Sequence, residues 1–245
     1  MTNALWEPQN FKLETTSVWD FPDRGNWATH DGKYRGNWSP YVPRNLILRY
    51  SKEGDMVLDQ FAGGGTTLVE AKLLRRNVIG VDVNDEALRR CKEKCSFHWE
   101  SNYNVYLKHG DARKLDFIPN EKIDLICTHP PYANMVKYSY GLKEDLSQLE
   151  VPKFLAQMNF VSAECYRVLK PNHYCAILMG DIRRNGFIVD LSFQVMQVFL
   201  EAGFKLKETI IKQQHNCKHT EKWRDISVQR NFLLVAHEYL FVFKK

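Results

Sequence analysis

The pentapeptide Thr128-His129-Pro130-Pro131-Tyr132 has the composition of a rigid binding corner, because it ends the apolar run 123–127 with two prolines and an aromatic ring. Proline fixes its own φ, lacks an N–H group and restricts the residue before it. Such a turn leaves carbonyl oxygens without strand partners and places the Tyr132 ring beside them. The corner could hold a planar group that carries an amine. A strand that ends at prolines and is followed by a core tyrosine is the alternative interpretation.

A glycine turn forms the second group of residues that could do chemistry. Gly63-Gly64-Gly65 follows a predicted strand at 56–61 and precedes a predicted helix at 66–75. Glycines let a ligand approach the main chain closely, and a helix N-terminus offers free N–H groups to an anion. The turn has neither the Gly-x-Gly-x-x-Gly spacing nor the lysine of a phosphate-binding loop. A dehydrogenase and a nucleoside triphosphatase are therefore disfavoured.

The elements that must position these groups alternate between short apolar and longer amphipathic segments. The predicted strands are 56–61, 77–82, 105–108, 123–127 and 174–179, and the predicted helices are 66–75, 84–97, 152–169 and 191–202. Lys170-Pro171-Asn172 reads as a helix stop. Two β-rich segments, 206–211 and 239–243, could pair antiparallel. This alternation predicts a parallel sheet with helices on both faces.

Polar or special residues follow the carboxyl end of each predicted parallel strand, which is where ligands bind in such sheets. Asp82 could accept hydrogen bonds from both hydroxyls of a ribose, and Asp111 could receive an adenine amino group. The alternative for both carboxylates is a solvated loop or a helix cap. Their common position at one edge of the sheet favours a shared nucleoside site.

Composition excludes several function classes and leaves others open. The 245 residues carry a net charge of +5, which is compatible with a polyanionic partner but does not require one. The six cysteines are scattered, so reduced thiols are expected rather than disulfides. Cys91, Cys95 and His98 lack a second ligand pair at zinc spacing, and His215, Cys217 and His219 read as a polar loop, so no metal site is predicted.

Targeting signals and further domains are not evident in the chain. No apolar stretch approaches the roughly 20 residues of a transmembrane helix, and the first eight residues do not resemble a signal peptide, so a cytoplasmic protein is expected. We predict a single domain over 1–245. Its first 50 residues are predicted to be irregular, apart from a helix at about 40–50 capped by Ser39, and loops are predicted at 133–148 and 213–231.

The order of the motifs resembles a known family. Asp59-x-Phe61-x-Gly63-x-Gly65-Thr66-Thr67-x-x-Glu70-Ala71, then Gly80-x-Asp82, then the proline corner, is similar to the exocyclic-amine DNA methyltransferases that use S-adenosylmethionine. The resemblance extends from about Trp19 to Phe243. It implies a Rossmann-like methyltransferase fold, with a mostly parallel seven-stranded sheet, an antiparallel C-terminal strand and helices on both faces. No separate target-recognition domain is apparent, and 39–50 resembles the segment that completes the methionine end of the cofactor pocket.

The resemblance also implies roles for individual residues. Cofactor binding falls to Asp59, Phe61, Gly63, Gly65, Thr66, Thr67, Asp82 and Asp111, and catalysis to Thr128, His129, Pro130, Pro131 and Tyr132. The target base would leave the duplex and stack on Tyr132. Candidates for DNA contact are Tyr34, Arg35, Lys137, Tyr138, Arg183 and Arg184, with Arg24, Lys33, Tyr140, Asn185 and the stretch 213–230 as further candidates. For each of these the alternative is an ordinary solvated loop.

His129 departs from the family pattern, which places Ser, Asp or Asn at this position. One hypothesis gives neutral His129 the acceptor role toward the amine, so that activity falls on acidification. The other treats His129 as a spacer and assigns that role to the Pro130 carbonyl and Thr128.

The Thr-x-Pro-Pro-Tyr frame favours N4 of cytosine in DNA as the methyl acceptor. The alternatives are N6 of adenine in DNA, N2 of guanine in RNA, and a non-catalytic nucleic-acid-binding module. DNA is the expected partner. A homodimer and a restriction endonuclease partner are left open.

Overall fold

The computed structural model describes residues 5–99, 103–139, 141–215 and 220–245. The strands are β1 (Val18–Trp19), β2 (Met56–Asp59), β3 (Asn77–Asp82), β4 (Val105–His109), β5 (Ile123–Thr128), β6 (Leu169–Met179), β7 (Ile182–Arg184), β8 (Phe187–Val189), β9 (Lys205–Gln213) and β10 (His237–Lys244). The α-helices are α1 (Tyr41–Tyr50), α2 (Thr66–Leu73), α3 (Asp85–Lys94), α4 (Val151–Val168), α5 (Leu191–Glu201) and α6 (Thr220–Gln229).

The main sheet has the strand order β1-β9-β10-β6-β5-β2-β3-β4. β10 runs antiparallel to β6 and β9, and the other neighbouring pairs are parallel. The predicted mostly parallel sheet with an antiparallel C-terminal strand is confirmed, and β1 adds an eighth strand at one edge. Strand order reverses between β2 and β5, which is the position where open α/β sheets bind ligands.

Both faces of the sheet are covered, because side chains along each strand alternate between two apolar cores. Ile126 packs with Phe154 of α4 and Phe199 of α5, while its neighbour Leu125 packs with Leu46 of α1 and Leu68 of α2. This period-2 pattern is the reason that β5 is buried at every position. The prediction of helices on both faces is confirmed.

Two local expectations, the Ser39 cap and the loop at 213–231, were wrong, and one strand is longer than predicted. α1 begins at Tyr41 with Pro40, and not Ser39, at the N-cap position. Ser39 lies one residue earlier, where its hydroxyl donates to the Arg24 carbonyl and accepts from the Tyr41 amide at 3.4 Å. The predicted helix stop before 170–172 is confirmed, because α4 ends at Val168. Residues 170–172 themselves lie within β6, which starts earlier than the predicted 174 and tolerates Pro171 because the β5–β6 register shifts there. The predicted loop 213–231 contains α6.

A buried carboxylate attaches the N-terminal segment to the sheet. Glu70 of α2 accepts hydrogen bonds from Trp27 Nε1 at 2.7 Å and from an Arg44 guanidinium nitrogen at 3.0 Å, and it lies 2.7 Å from His30 Nε2. Residues 20–40 form no regular helix or strand. These side-chain bonds therefore hold the segment that leads into the candidate site.

Within the described ranges, no helix has the length and apolar character needed to cross a membrane. The same ranges contain no group of three or more His, Cys, Asp or Glu side chains arranged to hold a metal ion. The predicted cluster of His215, Cys217 and His219 falls partly outside them, because Cys217 and His219 are not among the described residues.

Candidate active site

Asp59 ends β2 and braces the glycine turn. Its Oδ1 accepts from the Phe61 amide at 3.1 Å and from the Thr128 hydroxyl at 2.8 Å, and its Oδ2 accepts from the Thr67 hydroxyl at 2.5 Å. Burial raises the pKa of the Asp59 carboxyl to about 6 despite these donors. Asp59 and Thr67, both predicted to bind cofactor, thus hydrogen-bond to each other. The same carboxylate also accepts from Thr128 at the start of the proline corner.

Asp82 ends β3 beside the turn. Its Oδ2 accepts from the Gly63 amide at 2.9 Å and its Oδ1 accepts from the Asn84 amide at 2.9 Å. Burial raises the pKa of this carboxyl. Each oxygen accepts one of these amides and has two lone pairs, so Asp82 retains acceptor capacity for ligand hydroxyls. The turn itself closes on Gly65, whose φ of 79° lies in the left-handed region that favours glycine.

Asp111 follows β4 and is oriented by a guanidinium. Arg113 Nε lies 2.9 Å from Asp111 Oδ1, and Arg113 Nη2 lies 2.5 Å from Oδ2. This fork holds the carboxylate in one plane at the far end of the site.

A first cavity runs along the carboxyl ends of β2 and β3 between these groups. Its lining residues are Tyr34, Gly36, Asn37, Trp38, Asp59, Gln60, Phe61, Ala62, Gly63, Thr66, Asp82, Val83, Asp111, Ala112, His129, Pro131, Tyr138, Glu144, Asp145 and Leu146. Gln60 Oε1 and Asn37 Nδ2 are buried and have no hydrogen-bond partner among the described residues. The N-terminal wall comes from 34–38, just before the predicted segment 39–50.

The proline corner follows β5, and its polar side chains point to protein partners. The Thr128 hydroxyl donates its hydrogen bond to Asp59. His129 stacks on Trp38 with ring centroids 5.5 Å apart, and its Nε2 lies 2.7 Å from the Tyr132 hydroxyl. The ring also hydrogen-bonds the backbone of Gly36, and burial lowers the pKa of His129 to about 4. His129 is therefore neutral near pH 7.

Tyr132 is held from two sides. Its hydroxyl donates to Glu238 Oε1 at 2.7 Å, and Glu238 Oε2 lies 3.0 Å from Lys212 Nζ. Its ring covers Gly180 so closely that a Cβ there would lie 2.6 Å from Tyr132 Cε2. Sequence reasoning missed Glu238 and Lys212. The available signal was a carboxylate at the start of the otherwise apolar strand 239–243.

A second cavity lies on the other side of the corner. It is lined by Phe21, Pro22, Arg24, Gly36, Asn37, Trp38, Ser39, His129, Pro130, Tyr132, Met135, Val136, Tyr138, Lys212, Gln214, His215 and Glu238. Five of these residues also line the first cavity: Gly36, Asn37, Trp38, His129 and Tyr138. The two cavities therefore share a wall at the proline corner.

The candidates for DNA contact are placed in different surroundings. Tyr34 stacks on Tyr138 with centroids 6.1 Å apart; Tyr34 lines the first cavity, whereas Tyr138 lines both. Arg35 and Lys137 are exposed. Arg184 pairs with Glu150 and Asn134, and Arg183 donates to the Gly186 and Leu233 carbonyls. Tyr140 and part of 213–230 fall outside the described residues.

Comparison with known proteins agrees with this arrangement. A family model described as DNA methylase, of the N6/N4 type, matches residues 4–93 and 123–245, and a general methyltransferase-domain model matches 57–139. The chain belongs to the N6/N4 DNA methylase family. The resemblance drawn from the motifs is thereby confirmed, and the cofactor of this family fold is S-adenosylmethionine.

Individual relatives match shorter stretches of the methylase. Type II methyltransferase M2.DpnII of Streptococcus pneumoniae is 40% identical over 76 residues, which is 31% of this chain and 27% of that protein. The tRNA (guanine(10)-N2)-dimethyltransferase of Methanothermobacter thermautotrophicus is 35% identical over 101 residues, 41% of this chain and 29% of that protein. The matched segments thus span less than a third of these relatives.

A solved structure supports the fold. An S-adenosylmethionine-dependent methyltransferase of Methanosarcina mazei superposes with a TM-score of 0.56 at 15% identity, covering 82% of this chain and 96% of that one. At this identity the likeness shows the Rossmann-like fold alone.

Proposed function

We propose that this methylase transfers a methyl group to the exocyclic N4 amine of a cytosine that has been flipped out of DNA. The observation that carries the proposal is the wall shared by the two cavities at His129. A cofactor in the first cavity and a base in the second would meet at that wall. This arrangement suits a direct transfer, in which the chain positions two ligands and forms no covalent bond to either.

The residues of the first cavity fit S-adenosylmethionine. Asp82 would receive the ribose hydroxyls and Asp111 the adenine amine, with the main chain at Gly63 in close approach. The unpartnered Gln60 Oε1 offers an acceptor to a further polar atom of the ligand. When bound, this cofactor supplies a methyl group made electrophilic by its sulfonium. The irregular segment 20–40 completes the cavity through 34–38.

The corner residues would bind and orient the amine. Because the Thr128 hydroxyl and the His129 nitrogens already have protein partners, the backbone carbonyls of the corner are the acceptors left for the amine N–H groups. Hydrogen bonds to these carbonyls favour a pyramidal nitrogen with a free lone pair. Of the two hypotheses for His129, this geometry supports the spacer. Because the Tyr132 hydroxyl donates to Glu238, the ring is the part of Tyr132 that is left to contact the base.

Two unpartnered donors support cytosine as the base. Arg24 Nε and Asn37 Nδ2 are buried, belong to residues that line the second cavity, and have no partner among the described residues. Cytosine carries two acceptors, N3 and O2, beside its amine on the Watson–Crick edge, whereas adenine carries N1 alone beside its amine on that edge. A base that pairs both donors avoids leaving either of them unsatisfied. The Thr-x-Pro-Pro-Tyr frame agrees with this choice.

N2 of guanine in RNA is the second candidate, because a tRNA guanine-N2 methyltransferase is among the relatives. Guanine presents an N1–H donor beside its amine. That donor would face Arg24 and Asn37, which makes guanine the poorer match to this cavity.

The test is to incubate the protein with labelled S-adenosylmethionine and duplex DNA, digest the DNA, and identify the labelled nucleoside. N4-methylcytosine is expected. N6-methyladenine would overturn the choice of base, and label in RNA alone would favour the guanine candidate. Tyr132→Ala should abolish incorporation, while Tyr106→Ala, on the exposed face of β4, should not. Cofactor binding without any incorporation would favour a non-catalytic module.

The proposed nucleic acid, the flipping of the base and the proposed protein partners derive from the resemblance to the family. DNA as substrate, base flipping, a homodimer and a restriction endonuclease partner stay predictions.

A further inference from the structure

A chain of hydrogen bonds runs from the antiparallel part of the sheet to the proline corner. Lys212 of β9 and Glu238 of β10 are directly opposite each other in the strand register, and their charged atoms lie 3.0 Å apart. Glu238 accepts from the Tyr132 hydroxyl at 2.7 Å, and this hydroxyl lies 2.7 Å from His129 Nε2. The four side chains thus form one connected network.

Packing of the sheet does not require this ion pair. Leu240 and Val242 occupy the same face of β10 as Glu238, and both belong to the apolar core. The side chains of Lys212 and Glu238 are only 14% and 9% exposed, and burying two charges is unfavourable compared with burying apolar residues of similar size. Both residues line the second cavity. The pair therefore lies where a binding role can account for it.

We propose that Lys212 and Glu238 are a positioning pair, which holds the Tyr132 hydroxyl and, through it, the His129 ring, and so fixes the corner that receives the target amine. Glu238 acts through Tyr132 and does not touch the reacting atoms. The inference rests on the proposed place of the amine at this corner, but not on which base carries it.

Electrostatics at His129 give the pair a second readout besides activity. The charged groups that act on the ring are Glu238, Lys212 and Arg24, and Tyr132 is its neutral titratable neighbour. Glu238 raises the pKa of His129, while Lys212 and Arg24 lower it. Removing Glu238 should therefore lower the pKa of His129 further, and removing Lys212 should raise it.

The test compares Glu238→Gln and Lys212→Met in the full chain. We expect Glu238→Gln to lower kcat by roughly ten- to a hundredfold, the range for losing a hydrogen bond to a buried charge, with the KM for S-adenosylmethionine unchanged. In NMR titrations of the His129 ring, Lys212→Met should shift the midpoint upward and Glu238→Gln downward. The double variant Glu238→Gln with Lys212→Met removes both charges, and it replaces a single variant in these measurements if that variant folds poorly.

A double-mutant cycle decides whether Glu238 acts through Tyr132. Combining Glu238→Gln with Tyr132→Phe should lower kcat no further than Tyr132→Phe alone. Lys207→Met with Glu208→Gln, an exposed ion pair on the same strand β9, is the matched control and should leave kcat and the His129 titration unchanged.

Fully additive losses, or a His129 midpoint that neither variant moves, would overturn the proposal. If the unaltered protein methylates no nucleic acid, the proposed function fails. The NMR titration would still report whether the pair controls His129.

Discussion

Thr128 donates a 2.8 Å hydrogen bond to Asp59, and this single contact joins the two motifs of the site. Asp59 braces the glycine turn and Thr128 begins the proline corner, 69 residues later in the chain. β2 and β5 are adjacent in the sheet, which is why the two side chains can meet. The spacing between the cofactor turn and the methyl-acceptor corner is thus set by a buried bond as well as by the sheet.

Thr128→Val should lower the free energy of unfolding by about 1–3 kcal/mol, because it leaves the buried Asp59 with one donor fewer. The pKa of Asp59 is about 6, so the carboxyl is ionised and most in need of donors above that pH. The loss should therefore be larger at pH 8 than at pH 5 in chemical denaturation. Thr209→Val, exposed on β9, is the control and should change stability by less than about 0.5 kcal/mol. Equal losses at both pH values would contradict an ionised Asp59.

His129 should make the fold sensitive to acid. Burial lowers its pKa from 6.5 to about 4, so between these values the unfolded chain binds a proton that the folded chain does not. Stability present above pH 6.5 is therefore lost as the pH falls toward 4, by up to about 3 kcal/mol. His129→Asn should flatten this dependence in thermal melts, whereas His109→Asn, at an exposed position, should not.

The same low pKa changes the expectation for activity. A histidine that stays neutral to about pH 4 gives no loss of kcat as the pH falls from 8 to 5.5, unlike the loss near pH 6.5 expected for an unperturbed ring. A pH–rate profile tests this. A fall centred near pH 6.5 that disappears in His129→Asn would restore a titrating role for the ring.

Glu70→Ala should destabilise the protein by about 3–5 kcal/mol, because the buried Arg44 would lose its buried partner and keep only the exposed Glu7, 3.6 Å away. Hydrogen exchange over 20–40 should accelerate, since Trp27 and His30 lose the same anchor. Glu86→Ala is the matched control, because Glu86 pairs with arginines on the exposed surface of α3, and it should leave the stability nearly unchanged. Unchanged exchange in the segment would show that Glu70 does not hold it.

Asp82→Asn should weaken S-adenosylmethionine binding by roughly ten- to a hundredfold, because hydroxyl donors would lose a charged acceptor. Burial raises the pKa of Asp82, so affinity should also fall on acidification as the carboxyl is protonated. Isothermal titration calorimetry measures both effects. Asp85→Asn, three residues further on and exposed, should bind normally. An unaltered Kd in Asp82→Asn would exclude Asp82 from the ribose site.

Much of the framework could be predicted because its signals are local. Buried strands show as apolar runs, and the polar residues that follow them mark the ligand edge of the sheet, as with Asp59 and Asp82. α6 was missed since its residues are mostly exposed, so its sequence lacks a strong apolar stripe.

The contacts that complete the site could not be predicted, because they join distant segments. Glu238 and Tyr132 are 106 residues apart in the chain, and Glu70 meets Trp27 and Arg44 across 43 and 26 residues. The sequence motif includes Glu70, but nothing in the motif shows that its side chain is buried or which residues it contacts. Only the packing of α1 and of 20–40 over α2 makes it a buried anchor.

The shared wall of Gly36, Asn37, Trp38, His129 and Tyr138 means that one set of residues would contact both proposed ligands. If the first ligand changes the conformation of these side chains, the second ligand binds to side chains that are already in the changed conformation. Their affinities are therefore coupled, and thermodynamic reciprocity requires each ligand to change the affinity of the other by the same factor. Cooperativity between cofactor and base would thus arise at a wall that this chain builds by itself.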